Sequence, residues 1–156
     1  METRPPQFAN IAMLVRKPVA DVFEAFVDPA ITTRFWFTHA SGRLEPGASV
    51  RWEWSMYGHA TQVKVKAIER DRRILIEWSG EHGFTTVEWT FIAREDGATF
   101  VAIAAELSGR GDALLEEAIG TTEGFTLVLA GLKALLEHDI ELGLVADRFP
   151  DEIAGD

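Results

Sequence analysis

Four histidines, one tyrosine and a scatter of carboxylates are the groups in this 156-residue sequence that could move protons; five tryptophans could hold a ring. The histidines are His39, His59, His82 and His138. None stands in an HExxH motif or another close ligand pair, so the sequence carries no metal-site spacing and no metal is expected. There is no cysteine, which removes thiol nucleophiles, disulfides and thiolate zinc sites. His59 and His82 fall in predicted turns and His138 on the flank of a helix, all three read as surface positions. His39 follows a short helix, where it can reach the mouth of an internal space. Ser41-Gly42 and Ser108-Gly-Arg-Gly111 lack GxxxxGK[ST] and read as ordinary turns rather than phosphate loops.

Parity along the strands sorts the remaining candidates. Trp52, Trp54, Trp78 and Trp89 share parity with the aliphatic residues around them, so they face inward. Each buries on the order of 200 Å² and fills a core or lines a pocket. Glu53, Glu77, Glu88 and Glu106 take the opposite parity, with Arg51, Lys64, Lys66 and Arg73. They read as a solvated ladder of mixed charge. No carboxylate pair is aimed inward, which argues against a hydrolase, because general acid–base work needs such groups in a shielded site. A β-bulge would reverse the parity beyond it.

These positions need a sheet and something to cover it. Phe8 to Val15 predicts a strand. Pro18 opens a helix whose apolar face is Val22, Phe23, Phe26 and Val27. Asp28-Pro29 ends it and caps a second, running to about Phe35. From Thr38 the period becomes two: Val50 to Met56, Val63 to Ala67, Ile74 to Trp78, Val87 to Phe91 and Val101 to Ala105, separated by turns such as Pro46-Gly47 and Asp96-Gly97. Short turns make this an antiparallel meander with one face to cover. The only element long enough is a helix from Asp112 to Gly143, about 45 Å at ~1.5 Å per residue. Its stripe is Leu114, Ala118, Phe125, Val128, Leu129, Leu132 and Leu136; Asp112 is its predicted N-cap and Gly143 its terminator. Gly120, Gly124 and Gly131 form a second stripe, read as close packing against a strand, so that leucine at Gly124 should force the helix off the sheet. The fold expected is α+β, a curved sheet gripping a long C-terminal helix, in a single domain over 1–156.

The formal net charge is −10 and the pI about 4.8, which disfavours nucleic acid as a partner. The N-terminus lacks the apolar run of a signal peptide, and no stretch approaches the roughly 20 consecutive apolar residues of a membrane span. A cytoplasmic location is the expectation.

The segments PVADVFEAFVDPAITTRFW and EEAIGTTEGFTLVLAGLKALLEHDIELG, with the meander between them, resemble the START-like (Bet v-type, SRPBCC) helix-grip superfamily. Within it the sequence is most similar to bacterial proteins resembling the activator of the Hsp90 ATPase. It departs in having Phe125 after Gly124, where a tryptophan is expected. The resemblance implies a cavity between sheet and helix for an apolar or aromatic small molecule or lipid. Walls would come from Trp52, Trp54, Met56, Trp78, Trp89, Phe91, Phe125, Leu129 and Leu132, with Trp36 and His39 near an entrance. No cofactor is expected, and a homodimer stays open. Two alternatives stand beside binding: a cyclase- or hydratase-type enzyme with Tyr57, His39 or His59 as proton donor, and a chaperone-associated module.

Overall fold

Alternation of apolar and polar residues produces seven strands, and the switch to helical spacing at the two ends produces the helices. The computed structural model describes residues 5–80 and 83–152. In chain order these are β1 (Gln7–Val15), α1 (Val19–Val27), α2 (Pro29–Thr32), β2 (His39–Ala40), β3 (Ser49–Trp54), β4 (His59–Glu69), β5 (Arg73–Gly80), β6 (Gly83–Ala93), β7 (Thr99–Leu107), α3 (Asp112–His138) and α4 (Leu144–Asp147). The strands form one antiparallel sheet in the order β1-β7-β6-β5-β4-β3-β2. β3 to β7 are the expected meander, and β1 closes onto β7. The architecture is the α+β helix-grip: a curved antiparallel sheet with a long C-terminal helix laid on it. His82 lies outside the described residues.

Side-chain parity holds along the meander. Val50, Trp52, Val63, Val65, Ile74, Ile76, Val87, Trp89, Phe91, Val101 and Ile103 are all buried. A register shift between Val65 and Ala67 pairs Ile68 with Ile74 at the far end of β4. Met56 departs from the strand pattern: Ser55–Tyr57 is a 3-10 turn, closed by Gly58 at φ 60°, so Met56 is half-buried at a turn rather than inward on a strand.

Asp28 caps α2 as its sequence suggests, its side chain accepting from the Ala30 N–H at 2.9 Å with Pro29 at the first helical position. The buried Thr32 hydroxyl donates back to the Ala25 carbonyl at 2.5 Å and fixes the V between α1 and α2.

The two ends of α3 differ from the sequence reading. Its N-cap is Gly111, with no side-chain cap, and Asp112 is the first helical residue. Glu117 instead reaches back from the second turn, accepting from the Ser108 and Gly109 N–H groups at 2.9 Å each. The helix stops at His138, where Asp139 adopts a left-handed conformation (φ 53°), and Gly143 precedes α4 at φ 67°. Only the C-terminal half of α3 is embedded, through Phe125, Val128, Leu129, Gly131, Leu132 and Leu135. Leu115 and Ile119 in its N-terminal half are about three-fifths exposed, at 62% and 61%. By length and composition α3 is a helix that could cross a membrane, with mean hydropathy 1.3 over its most apolar 18 residues. No unbroken apolar run marks this in the sequence, because glycines, alanines and threonines separate the larger apolar residues, whose stripe covers the sheet.

Candidate functional site

Trp36, just after α2, is the centre of an aromatic cluster. Its ring lies 5.0 Å from Trp52, 5.7 Å from Phe125, 6.0 Å from Trp54 and Trp89, and 6.2 Å from Trp78, centroid to centroid. These are edge-to-face and tilted contacts, which the ring quadrupoles favour. The cluster joins α2's exit, three strands and α3, and so fixes where the helix sits.

Beside this cluster the N-terminal half of α3 leaves two spaces that meet. One, of about 490 Å³, is lined by Trp36, Trp54, Tyr57, Trp78, Phe125 and Val128, by Gly120 and Gly124, and by Val145, Arg148 and Phe149 of the C-terminal segment. The other, of about 840 Å³, is lined by Thr61, Ser79, Thr85, Glu106, Ser108, Glu116 and Glu117 among others. Trp54, His59, Trp78 and Thr121 line both. The first is predominantly apolar and the second mixed. Volumes of this order match ordinary small-molecule sites.

Two glycines of the stripe, Gly120 and Gly124, border the apolar compartment on an exposed flank of α3. A Cβ added at Gly120 or Gly124 would meet no atom within 4 Å. Of the three, only Gly131 has close neighbours: a Cβ there would lie 3.4 Å from both the Cβ and the carbonyl oxygen of Phe35. The expectation of close packing therefore holds at Gly131 and is corrected at Gly120 and Gly124. Spacing on a wheel cannot distinguish the two cases, because the helix is embedded at one end and stands clear at the other.

The C-terminal segment forms one wall. Tyr57 donates its hydroxyl hydrogen to the carbonyls of Val145 and Ala146, the latter at 3.1 Å. Arg148 forms a two-pronged ion pair with Glu123 of α3, its Nη2 at 3.2 Å, and this carboxylate raises the already high pKa of Arg148. The Phe149 ring lies 6.4 Å from that of Tyr57.

Of the residues expected from the sequence, Trp36, Trp54, Trp78 and Phe125 line the apolar compartment. Trp36 is a wall residue, 7% exposed, rather than one at an entrance. Trp52 stacks on Phe37 at 4.7 Å, Phe91 meets Phe23 at 5.4 Å under α1, and Leu129 and Leu132 are fully buried. These four, with Trp89 and Met56, are not among the lining residues. The buried Trp89 Nε1 has no hydrogen-bond partner among the described residues. His39 sits exposed on the edge strand β2, paired in register with Glu53, and does not line the space.

Tyr57 and His59 do line it, the His59 ring 5.5 Å from Trp54. Both are among the proton-donor candidates of the sequence, and His59 is exposed, as its turn position predicts, while bordering both compartments. Glu106, expected on the solvent face, lines the mixed compartment and accepts from the Thr86 N–H at 2.9 Å. It lies near the end of β7, where the mixed compartment reaches past the strand. Among the described residues no group of three or more histidine, aspartate or glutamate side chains is arranged to hold a metal.

Residues 16–137 match the family model described as Activator of Hsp90 ATPase homolog 1-like protein. Among solved structures, the chain is similar to protein SSP2350 of Staphylococcus saprophyticus, with 27% identity and a TM-score of 0.75, covering 87% of this chain and 96% of that one. It is similar to DynU16, a protein of the dynemicin biosynthetic locus, with 25% identity and a TM-score of 0.77; the match covers 88% of this chain but 49% of that one, so this chain spans about half of DynU16. The Aha1 dimer of Colwellia psychrerythraea shares the fold, with 16% identity, a TM-score of 0.67, and coverage of 86% and 97%. The comparison with curated proteins gives no match.

Proposed function

The chain belongs to the Activator of Hsp90 ATPase homolog 1-like family, and from that premise we propose that it binds an apolar or aromatic small molecule between the sheet and the N-terminal half of α3. The observation that supports this is the open flank at Gly120 and Gly124, facing a space of about 490 Å³ walled by Trp36, Trp54, Trp78 and Phe125. Each of those glycines weakens the helix by about 1 kcal/mol relative to alanine. Nothing within contact distance forbids a side chain there, so steric crowding is no reason for glycine; keeping the space clear is. A ligand burying about 300 Å² of apolar surface gains roughly 7 kcal/mol before association costs. The likeness to DynU16, a protein of a biosynthetic locus, is consistent with a small-molecule ligand.

A second reading, a cyclase- or hydratase-type enzyme using the same space, draws on His59, the one titratable side chain lining both compartments. Tyr57 is less suited to proton transfer, because its hydroxyl hydrogen is engaged by the Val145 and Ala146 carbonyls.

The test is titration with an apolar fluorescent dye, followed by displacement with a panel of aromatic compounds and turnover assays on those that displace it. Saturable binding weakened by Trp54→Ala supports the binding function. Absence of saturable binding overturns it. Turnover abolished by His59→Ala would replace it with the enzyme.

A further inference from the structure

We propose that the two compartments form one site for an amphiphile, an aromatic or apolar body carrying a cationic amine head, rather than for an apolar or acidic ligand. The inference rests on the binding function proposed above and adds the chemical class of the ligand. It begins from the joint between the compartments, where Trp54 and Trp78 present indole surface to both sides. Indole is the strongest aromatic partner for a cation.

Beyond that joint the lining changes character. In the apolar compartment lie Phe125 and the open Gly124; in the mixed one lie Thr61 and the carboxylates of Glu106, on β7, and of Glu116 and Glu117, in the first turns of α3. No lysine or arginine is among the residues lining the mixed compartment. Glu117 is held in place by the Ser108 and Gly109 N–H groups and the Ser108 hydroxyl, so part of the negative charge is fixed before any ligand arrives. Glu116 makes no hydrogen bond or ion pair among the described residues. The basic residue on the apolar side, Arg148, is already paired with Glu123. An anionic head in the mixed compartment would meet three carboxylates without a lysine or arginine to balance them, whereas an ammonium would meet carboxylates beside the Trp54 and Trp78 indoles. The net charge of −10 biases approach in the same direction.

The experiment uses the full chain and three probes of one shape: naphthylethylamine, naphthylethanol and naphthylacetate, each displacing an apolar dye at neutral pH. The amine should bind about tenfold more tightly than the alcohol, the worth of one partly desolvated cation contact. The acid should bind more weakly than the alcohol, and added salt should shrink the amine's advantage. The double variant Glu106→Gln, Glu116→Gln should lower the amine-to-alcohol ratio severalfold, the remainder resting on Glu117 and the two indoles. Because the alcohol reports the integrity of the site within each protein, a misfolded variant is recognised by loss of alcohol binding; the single variant Glu116→Gln, at an exposed position, then carries the test and should lower the same ratio. Equal or tighter binding of the acid overturns the inference and leaves the binding function standing. So does an amine preference unchanged in the folded variant, or failure of all three probes to displace a bound dye. Failure of the dye itself to bind overturns both.

Discussion

Two glycines seven residues apart on one helix should respond in opposite ways. A Cβ added at Gly131 would lie 3.4 Å from Phe35, so the larger leucine there must displace the α2 exit or the helix, at about 1–3 kcal/mol. Gly124 has no neighbour within 4 Å of its absent Cβ. Gly124→Ala should therefore stabilise the protein, by up to about 1 kcal/mol from helix propensity alone. Gly124→Leu should keep the fold but occupy the apolar compartment and weaken dye binding. Urea unfolding of the three variants, with dye titration of each, checks this. A Gly124→Leu protein as unstable as Gly131→Leu would show that the flank is packed and that the compartment does not open there. In the sequence these positions are indistinguishable, since both lie on the same wheel flank in similar apolar surroundings. What separates them is the distance of the helix axis from its neighbours, which periodicity does not encode.

At the scale of the element, α3 is anchored at its C-terminal end and stands clear at its N-terminal end. The anchor is partly polar. Lys133 Nζ donates to the Leu14 carbonyl at 2.9 Å and to Glu137 Oε2 at 2.6 Å, and the same Glu137 oxygen accepts the Arg16 N–H at 2.8 Å. Burial pushes the Glu137 carboxyl pKa up, but the Arg16 N–H and the Lys133 ammonium outweigh it and hold the pKa below its ordinary value. The sign follows from linkage. A carboxylate with a lower pKa when folded adds stability above its unfolded pKa and loses it as the pH falls through the folded value. Glu137→Gln should therefore cost about 1–2 kcal/mol near neutral pH. That gap should narrow as the pH is lowered from about 6 to about 3. Chemical denaturation at a series of pH values measures it, and a gap independent of pH would mean that the carboxylate charge is not what matters. The sequence made the existence of α3 legible through its seven-residue apolar stripe. It did not reveal this tie, because Lys133 and Glu137 meet Leu14 and Arg16 only once β1 is placed beside the helix.

For the whole molecule, the alternation of Trp52, Trp54, Ile74, Ile76, Val87 and Trp89 was enough to sort inside from outside, and the helix-grip follows from a meander with a single long helix to cover it. The site was only partly legible. Parity says that a residue points inward, but not whether it meets another side chain or a space. Trp52 and Trp89 are each 1% exposed and pack into the core, while Trp54 and Trp78, of the same parity, border the compartments. The C-terminal wall was invisible because Val145, Arg148 and Phe149 carry no period of their own and are placed by Tyr57 and Glu123, far away in sequence. This arrangement has a spectroscopic consequence. Trp36, Trp52, Trp54 and Trp89 are each no more than 8% exposed, and only Trp78 is half-buried. Acrylamide should therefore quench the bulk of the tryptophan emission poorly. A bound dye should reduce the quenchable fraction further by covering Trp78, and should itself be excited by transfer from the surrounding indoles. In Trp78→Phe the quenchable fraction should nearly vanish, and dye binding should no longer change it. Efficient quenching of most of the emission in the wild-type protein would show that the aromatic cluster is open to solvent, and the wall on which the binding function depends would be gone.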